Sequence, residues 1–180
     1  LANLVTTRTI YFDQLLEKSL QSSEQFVVMG AGLDTRCYGR MAKDHIALFE
    51  LDQAQTQELK KDYLDQANID TTNVNFVSVD FKSESWFEKL CVAGFDKDKV
   101  TTFLWEGVTL YLSEEDVRST LGEIKNNVAH GSAVVTDFYA NEFVNGDLFP
   151  GKKKSTDQLK MTNEMMDFGV VFEKASSPEL

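Results

Sequence analysis

The chain has 180 residues, 42% of them hydrophobic, and a formal net charge of -11 from 18 basic and 29 acidic side chains. That length favours one domain with a core large enough to fold without disulfides. The acidic balance repels phosphate backbones and argues against nucleic acid as a partner, no apolar run reaches the roughly 18–20 residues of a membrane span, and two cysteines with two histidines leave no Cys/His set for a zinc site.

The low cysteine usage fits a reducing, cytoplasmic compartment. Cys37 and Cys91 are expected as small buried or half-buried side chains, and His45 and His130 as surface residues. The start at Leu1 lacks a signal-peptide layout, and the chain stops at Ser177-Pro178-Glu179-Leu180. Both ends read as cut, so a longer parent protein is expected.

Arg8 to Gln21 places Ile10, Leu15, Leu16 and Leu20 near helical spacing, which predicts an amphipathic helix. Phe26 to Met29 is a continuous apolar run ending at Gly30, the pattern of a strand buried on both faces. Ile46 to Phe49 is a second such run, closed by Glu50-Leu51-Asp52. A polar helix is expected from Gln53 to Ala67, with Leu59, Tyr63 and Ala67 on one face. Val74 to Val79 reads as a third strand ending at Asp80, and Ser83 to Ala93 as a helix showing Trp86 and Leu90, stopped by Gly94. Val100 to Trp105 is a fourth strand, followed by Glu106-Gly107. Ser113 then caps a helix whose first turn, Glu114-Glu115-Asp116, suits the positive end of the helix dipole. A fifth strand is expected from Ser132 to Tyr139.

Strands alternating with helices predict a Rossmann-like α/β fold: a doubly wound, mostly parallel sheet with helices on both faces, binding ligands beyond the carboxyl ends of its strands. Residues 1–139 are read as the α/β unit, and 140–180 as a substrate-side cap and an incomplete end of the same domain. Lys152-Lys153-Lys154 is read as a solvated loop, and Lys160 to Lys174 is ambiguous between helix and strand.

Four strand ends carry polar groups that would share one sheet edge. Gly30-Ala31-Gly32 lets the backbone turn sharply and approach a ligand. Thr35 stands where a dinucleotide fingerprint has its third glycine, so a nucleoside ligand fits better than NAD. Glu50 and Asp52 both lie near the spacing from Gly30 at which an acid accepts from ribose hydroxyls, and Asp52 can also cap the helix that follows. Asp80 can accept from an adenine amino group while Phe81 packs on the purine, or Asp80 can simply cap the next helix. Glu106 ends an apolar strand at the switch region, placed for an ammonium or sulfonium group, with Tyr111 walling the same pocket.

The stretches Val27-Val28-Met29-Gly30-Ala31-Gly32-Leu33-Asp34-Thr35-Arg36, Phe49-Glu50-Leu51-Asp52 and Trp105-Glu106-Gly107-Val108-Thr109-Leu110-Tyr111-Leu112 resemble the leucine carboxyl methyltransferase family. The resemblance runs from about Thr7 to Phe138 and implies a class I fold and S-adenosylmethionine as cofactor. Carried over by motif, Gly30, Ala31, Gly32 and Asp34 resemble the turn beneath the methionine part of the cofactor. Asp52, with Glu50 as a second candidate, resembles the ribose acid, Asp80 and Phe81 the adenine contacts, and Glu106 the glutamate beside the cofactor. Arg8 resembles an arginine that holds the cofactor carboxylate, a task suited to a guanidinium fork. Gly39 separates Tyr38 from Arg40 where the resemblance implies Tyr-Arg directly, a small local insertion. The family's N-terminal cover and final antiparallel strands are expected beyond Leu1 and Leu180.

The implied reaction is methyl transfer to an oxygen of a small-molecule carboxylate or hydroxyl, or of a C-terminal carboxylate. Alignment alone can supply roughly 7–11 kcal/mol of such a barrier. A carboxylate acceptor needs no general base, and no catalytic base or metal ligand set is assigned; Glu106, Tyr111 and Arg8 are positioning candidates. An NAD-dependent oxidoreductase on a similar sheet and a non-catalytic cofactor-binding remnant are the alternatives.

Overall fold

The computed structural model describes residues 2–145 and 166–171. Its elements are α1 (Ala2–Ser19), β1 (Gln25–Met29), β2 (Ala47–Asp52), α2 (Ala54–Gln66), β3 (Val74–Ser78), α3 (Trp86–Val92), β4 (Thr101–Trp105), α4 (Glu114–Asn127), β5 (Ala133–Thr136) and α5 (Asn141–Val144). The five strands form one parallel sheet in the order β3-β2-β1-β4-β5. The chain winds outward from β1 through β2 to β3, then crosses back to β4 and β5. Connections therefore leave β1 and β4 in opposite directions, which opens a crevice at their carboxyl ends.

Both faces of the sheet are covered, which is why β1 and β4 are buried along their whole length. On one face Val27, Met29, Phe49, Leu51, Phe103 and Trp105 pack with Trp86 and Leu90 of α3 and Val117 and Ile124 of α4. On the other, Phe26, Val28, Leu48 and Leu104 pack with Phe12, Leu16 and Leu20 of α1. Two expected helix faces shift. Ile10 of α1 is 55% exposed, and Phe12 takes its place in the core. In α2, Leu59 and Tyr63 are exposed, and Gln57, Lys60 and Leu64 are buried instead. Polar side chains can occupy that face because they are partnered. Gln57 Nε2 donates to the carbonyls of Glu50 at 3.0 Å and Val77 at 2.9 Å, stitching α2 to β2 and β3.

Ser113 and Asp116 form a reciprocal capping box on α4, as its sequence predicts. Helix α3 starts later than expected, at Trp86. Ser85 is its cap, while Ser83 donates to Asp80 in the preceding loop. Strand β5 ends at Thr136 rather than Tyr139, because Asp137 and Tyr139 turn toward α1. Beyond them an isolated bridge joins Ala140 to Val170, and the amides of Asp167 and Val170 donate to the carbonyls of Leu110 at 2.7 Å and Tyr139 at 2.8 Å. The lysine run Lys152-Lys153-Lys154 and most of the Lys160 to Lys174 stretch lie outside the described residues. Among the described residues, no helix is long and apolar enough to cross a membrane.

Candidate functional site

Strand β1 delivers the chain into the turn Gly30-Ala31-Gly32, with φ of +66° at Gly30 and +44° at Gly32. The carboxylate of Asp52, emerging past the last β1–β2 pairing, holds this turn by accepting from the Gly32 amide at 2.6 Å. A Cβ on Gly30 would lie 2.5 Å from Val108 Cγ2, whereas one on Gly32 would meet nothing within 4 Å. Gly30 is therefore a packing glycine, and Gly32 keeps the turn open.

A cavity of about 490 Å³ lies over this turn, at the β1–β4 switch. Its lining includes Arg8, Gly30, Ala31, Gly32, Asp34 and Glu106, so six sequence-expected residues meet there. Asp52 borders it through the Gly32 amide. A larger cavity of about 670 Å³ opens where β2 and β3 begin, among Lys43, His45 and Asp70. Ligands of open parallel sheets bind at the carboxyl edge, so the smaller cavity is the candidate site.

Charges organise it. Each oxygen of Glu106 takes one arginine: Arg8 Nε donates to Oε1 at 2.7 Å and Arg36 Nη1 to Oε2 at 2.8 Å. Arg36 also donates from Nε to Asp13 Oδ1 at 2.7 Å and from Nη1 to Asp34. Arg8 Nη1 reaches Asp137 Oδ2 at 2.9 Å and the Tyr139 hydroxyl. Burial works to lower the values of both guanidinium groups. For Arg36 the hydrogen bond to Asp13 and the charges of Asp34, Glu106 and Asp13 outweigh it; for Arg8 Tyr139, Asp137 and Glu106 do so. Both are pushed up and stay charged. Burial, then Asp137, pushes the Tyr139 phenol up to about 12, so it is a neutral donor at physiological pH.

Asp13, Arg36, Asp137 and Tyr139 were not legible as site residues. Arg36 closes the Gly30–Arg36 motif, and Asp137 follows β5 as the other acids follow their strands, so both carried a signal. Asp13 and Tyr139 carried none.

Other expected residues lie apart from the cavity. Glu50 is the clear correction. It sits opposite Val28 inside the sheet, 1% exposed, paired at 2.7 Å with Lys60, which is 3% exposed. Tyr38 donates to its Oε2 at 3.1 Å. Glu50 is thus a core ion-pair partner, out of reach of a ribose; Asp52, two residues on, is the acid at the edge. Asp80 accepts from the Lys82 amide at 3.0 Å and the Ser83 hydroxyl at 2.9 Å, bonds that hold its carboxyl below the usual range. These contacts are those of a loop cap. Phe81 packs partly against the core, and Tyr111 is half-buried in the short 3-10 turn Thr109–Tyr111. Cys37 is buried and Cys91 half-buried, both free thiols, and His45 and His130 are exposed, as expected. Burial pushes the Cys37 thiol up, so it is no nucleophile.

The two glycines should respond differently to alanine. Gly30→Ala combines a left-handed backbone with a clash and is expected to lose about 2–4 kcal/mol in urea denaturation. Gly32→Ala should lose only about 1–2 kcal/mol and show its main effect as weakened ligand binding. Unchanged ligand affinity in Gly32→Ala would remove this turn from the site.

The family model described as leucine carboxyl methyltransferase matches residues 1–125. The chain belongs to the leucine carboxyl methyltransferase family. YktD of Bacillus subtilis, named as an S-adenosyl-L-methionine-dependent methyltransferase, is 34% identical over 138 residues, 75% of this chain and 45% of its own length. A protein of Mycobacteroides abscessus with the same kind of name is 32% identical over 140 residues, 77% of this chain and 46% of its own length. The chain thus spans under half the length of these curated relatives. In fold it is similar to an O-methyltransferase family protein from Burkholderia thailandensis, with TM-score 0.61, 13% identity and coverage of 92% of this chain and 48% of that one. It is also similar to the apo methyltransferase SibL, with TM-score 0.55, 14% identity and coverage of 93% and 46%. These matches bear out the Rossmann-like fold expected of the family.

Proposed function

We propose that this chain forms the S-adenosylmethionine-binding part of an O-methyltransferase whose acceptor is a carboxylate or hydroxyl of a small molecule, or a C-terminal carboxylate. The observation that carries this reading is the convergence of the open Gly30–Gly32 turn, the Arg8 guanidinium and the Glu106 carboxylate on one cavity at the β1–β4 switch. A cavity of about 490 Å³ falls in the range of roughly 300–1,000 Å³ usual for small-ligand sites. The donor set suits a zwitterionic, cationic nucleoside. Glu106 and Asp34 face positive charge, Arg8 faces a carboxylate, and backbone without side chains lies between them.

When bound, the cofactor supplies a methyl group already activated on a sulfonium. The chain's own residues hold and exclude. Gly32 allows close approach of the backbone, and Asp52, which holds that turn, accepts from ribose hydroxyls. Glu106 and Asp34 stabilise the cationic end. No histidine or cysteine lines the cavity among the described residues, which suits an acceptor that needs no proton removed. A carboxylic acid, ionised above about pH 4, is such an acceptor.

Titration calorimetry with S-adenosylmethionine and with NAD tests the reading. Saturable binding of the first and none of the second is expected. Binding of NAD alone would move the chain to the oxidoreductases. Turnover of a candidate acid by the longer parent protein, with methyl ester as product, separates an enzyme from a binding remnant.

A further inference from the structure

Asp137 lies just beyond β5, with its side chain 12% exposed. Its carboxylate collects donors from three parts of the chain. Oδ1 accepts from the Gly107 amide at 2.9 Å, and Oδ2 accepts from Arg8 Nη1 at 2.9 Å and from the Tyr139 hydroxyl at 3.1 Å. Gly107 follows Glu106 with φ +72°, and the guanidinium of Arg8 lies across it, 3.7 Å from where a Cβ would stand. Asp137 therefore holds both ends of the Arg8–Glu106 pair: the arginine directly and the glutamate through the turn behind it. Arg8 Nε and Nη1 are taken by protein. Among the described residues Nη2 makes no hydrogen bond, and the side chain is 30% exposed at the cavity wall. A guanidinium held at two nitrogens offers the third in a fixed direction, and the group that matches it is a carboxylate.

We propose that Asp137 is a positioning residue of the cofactor site, holding Arg8 so that its free nitrogen meets the carboxylate of the methionine part of S-adenosylmethionine. The inference rests on the cofactor reading above and adds to it a residue and a task. An aspartate is required because all three groups around it are donors. An asparagine in either orientation turns its NH₂ against one of them.

The test is calorimetric binding of two ligands to the full chain and to Asp137→Asn. S-adenosylmethionine has the amino-acid carboxylate; 5′-methylthioadenosine has the nucleoside and sulfur without it. Asp137→Asn should weaken S-adenosylmethionine about tenfold or more, the effect of losing a charge-assisted hydrogen bond, and leave 5′-methylthioadenosine within about twofold. In an Arg8→Met background the Asp137→Asn change should add nothing further. Tyr139→Phe, which keeps the Arg8–Asp137 contact, guards against a folding defect and should weaken S-adenosylmethionine by a smaller factor. Equal loss of both ligands would make Asp137 merely structural and overturn the inference, as would undiminished S-adenosylmethionine binding. Wild-type protein that binds neither ligand would overturn the cofactor reading together with this one, whereas wild-type binding shared by Asp137→Asn overturns this one alone.

Discussion

Replacing Lys60 by methionine is expected to destabilise the protein by about 3–4 kcal/mol at pH 7, with most of that loss absent at pH 5. The pair it breaks is the most deeply buried in the described structure, with Lys60 3% and Glu50 1% exposed at 2.7 Å. Removing one partner of such a pair strands the other charge, at a cost of about 3–5 kcal/mol. The stranded Glu50 escapes by taking up a proton. From a reference value near 4.3, protonation at pH 7 costs about 3.7 kcal/mol, and at pH 5 about 1 kcal/mol. The sign is consistent with the native protein, where burial raises the Glu50 carboxyl more strongly than Lys60 lowers it. A carboxyl raised in the folded state favours folding at low pH, and that contribution is lost as pH rises above the ordinary glutamate range. Urea denaturation of wild type and Lys60→Met at pH 5 and pH 7 checks this. The double change Glu50→Gln with Lys60→Met should restore most of the stability, since it leaves no unpaired charge. An equal loss at both pH values would show that lost packing of the lysine stem, not charge, is responsible.

Arg36→Met should cost about 2–3 kcal/mol and weaken the cofactor site at the same time. Arg36 is 11% exposed and binds carboxylates from three elements: Asp13 of α1, Asp34 of the glycine turn and Glu106 beyond β4. Those acids are 10–21% exposed, so part of the stranded charge is relieved by water and the figure falls below that for a fully buried pair. Without Arg36 the three acids repel one another, and α1 loses an anchor to the turn it covers. Arg36→Lys should recover little of either property, because an ammonium cannot reproduce a planar fork with bonds in several fixed directions. A melting point lower by about 5–10 °C, together with at least tenfold weaker S-adenosylmethionine binding, is the expected result for Arg36→Met. Stability lost with cofactor affinity intact would confine Arg36 to the fold.

Strands β1, β2 and β4 were readable because each centres on a short apolar run stopped by a polar residue, the usual pattern of a strand covered on both faces. Helix α4 was readable from its cap and acidic first turn. The buried face of α2 was not. Apolar periodicity pointed to Leu59 and Tyr63, yet the core takes Gln57 and Lys60, because the carbonyls of Glu50 in β2 and Val77 in β3 accept from Gln57 and the carboxylate of Glu50 pairs with Lys60. Spacing from Gly30 left both acids of β2 as candidates for the ribose. Glu50 and Asp52 differ only in depth: one sits under α2 opposite Val28, and the other clears the end of β1 and caps the glycine turn.

Pattern and motif alone were enough for the parallel sheet, the turn at Gly30 to Gly32 and the acid-lined edge, since these follow from near neighbours in the chain. Which carboxylate meets which guanidinium was settled by folding. Arg8 and Glu106 are 98 residues apart, Arg36 and Glu106 70, and Arg8 and Asp137 129. Charge pairing depends on distance in space and on how far water is excluded, and neither is written in the spacing of residues along the chain.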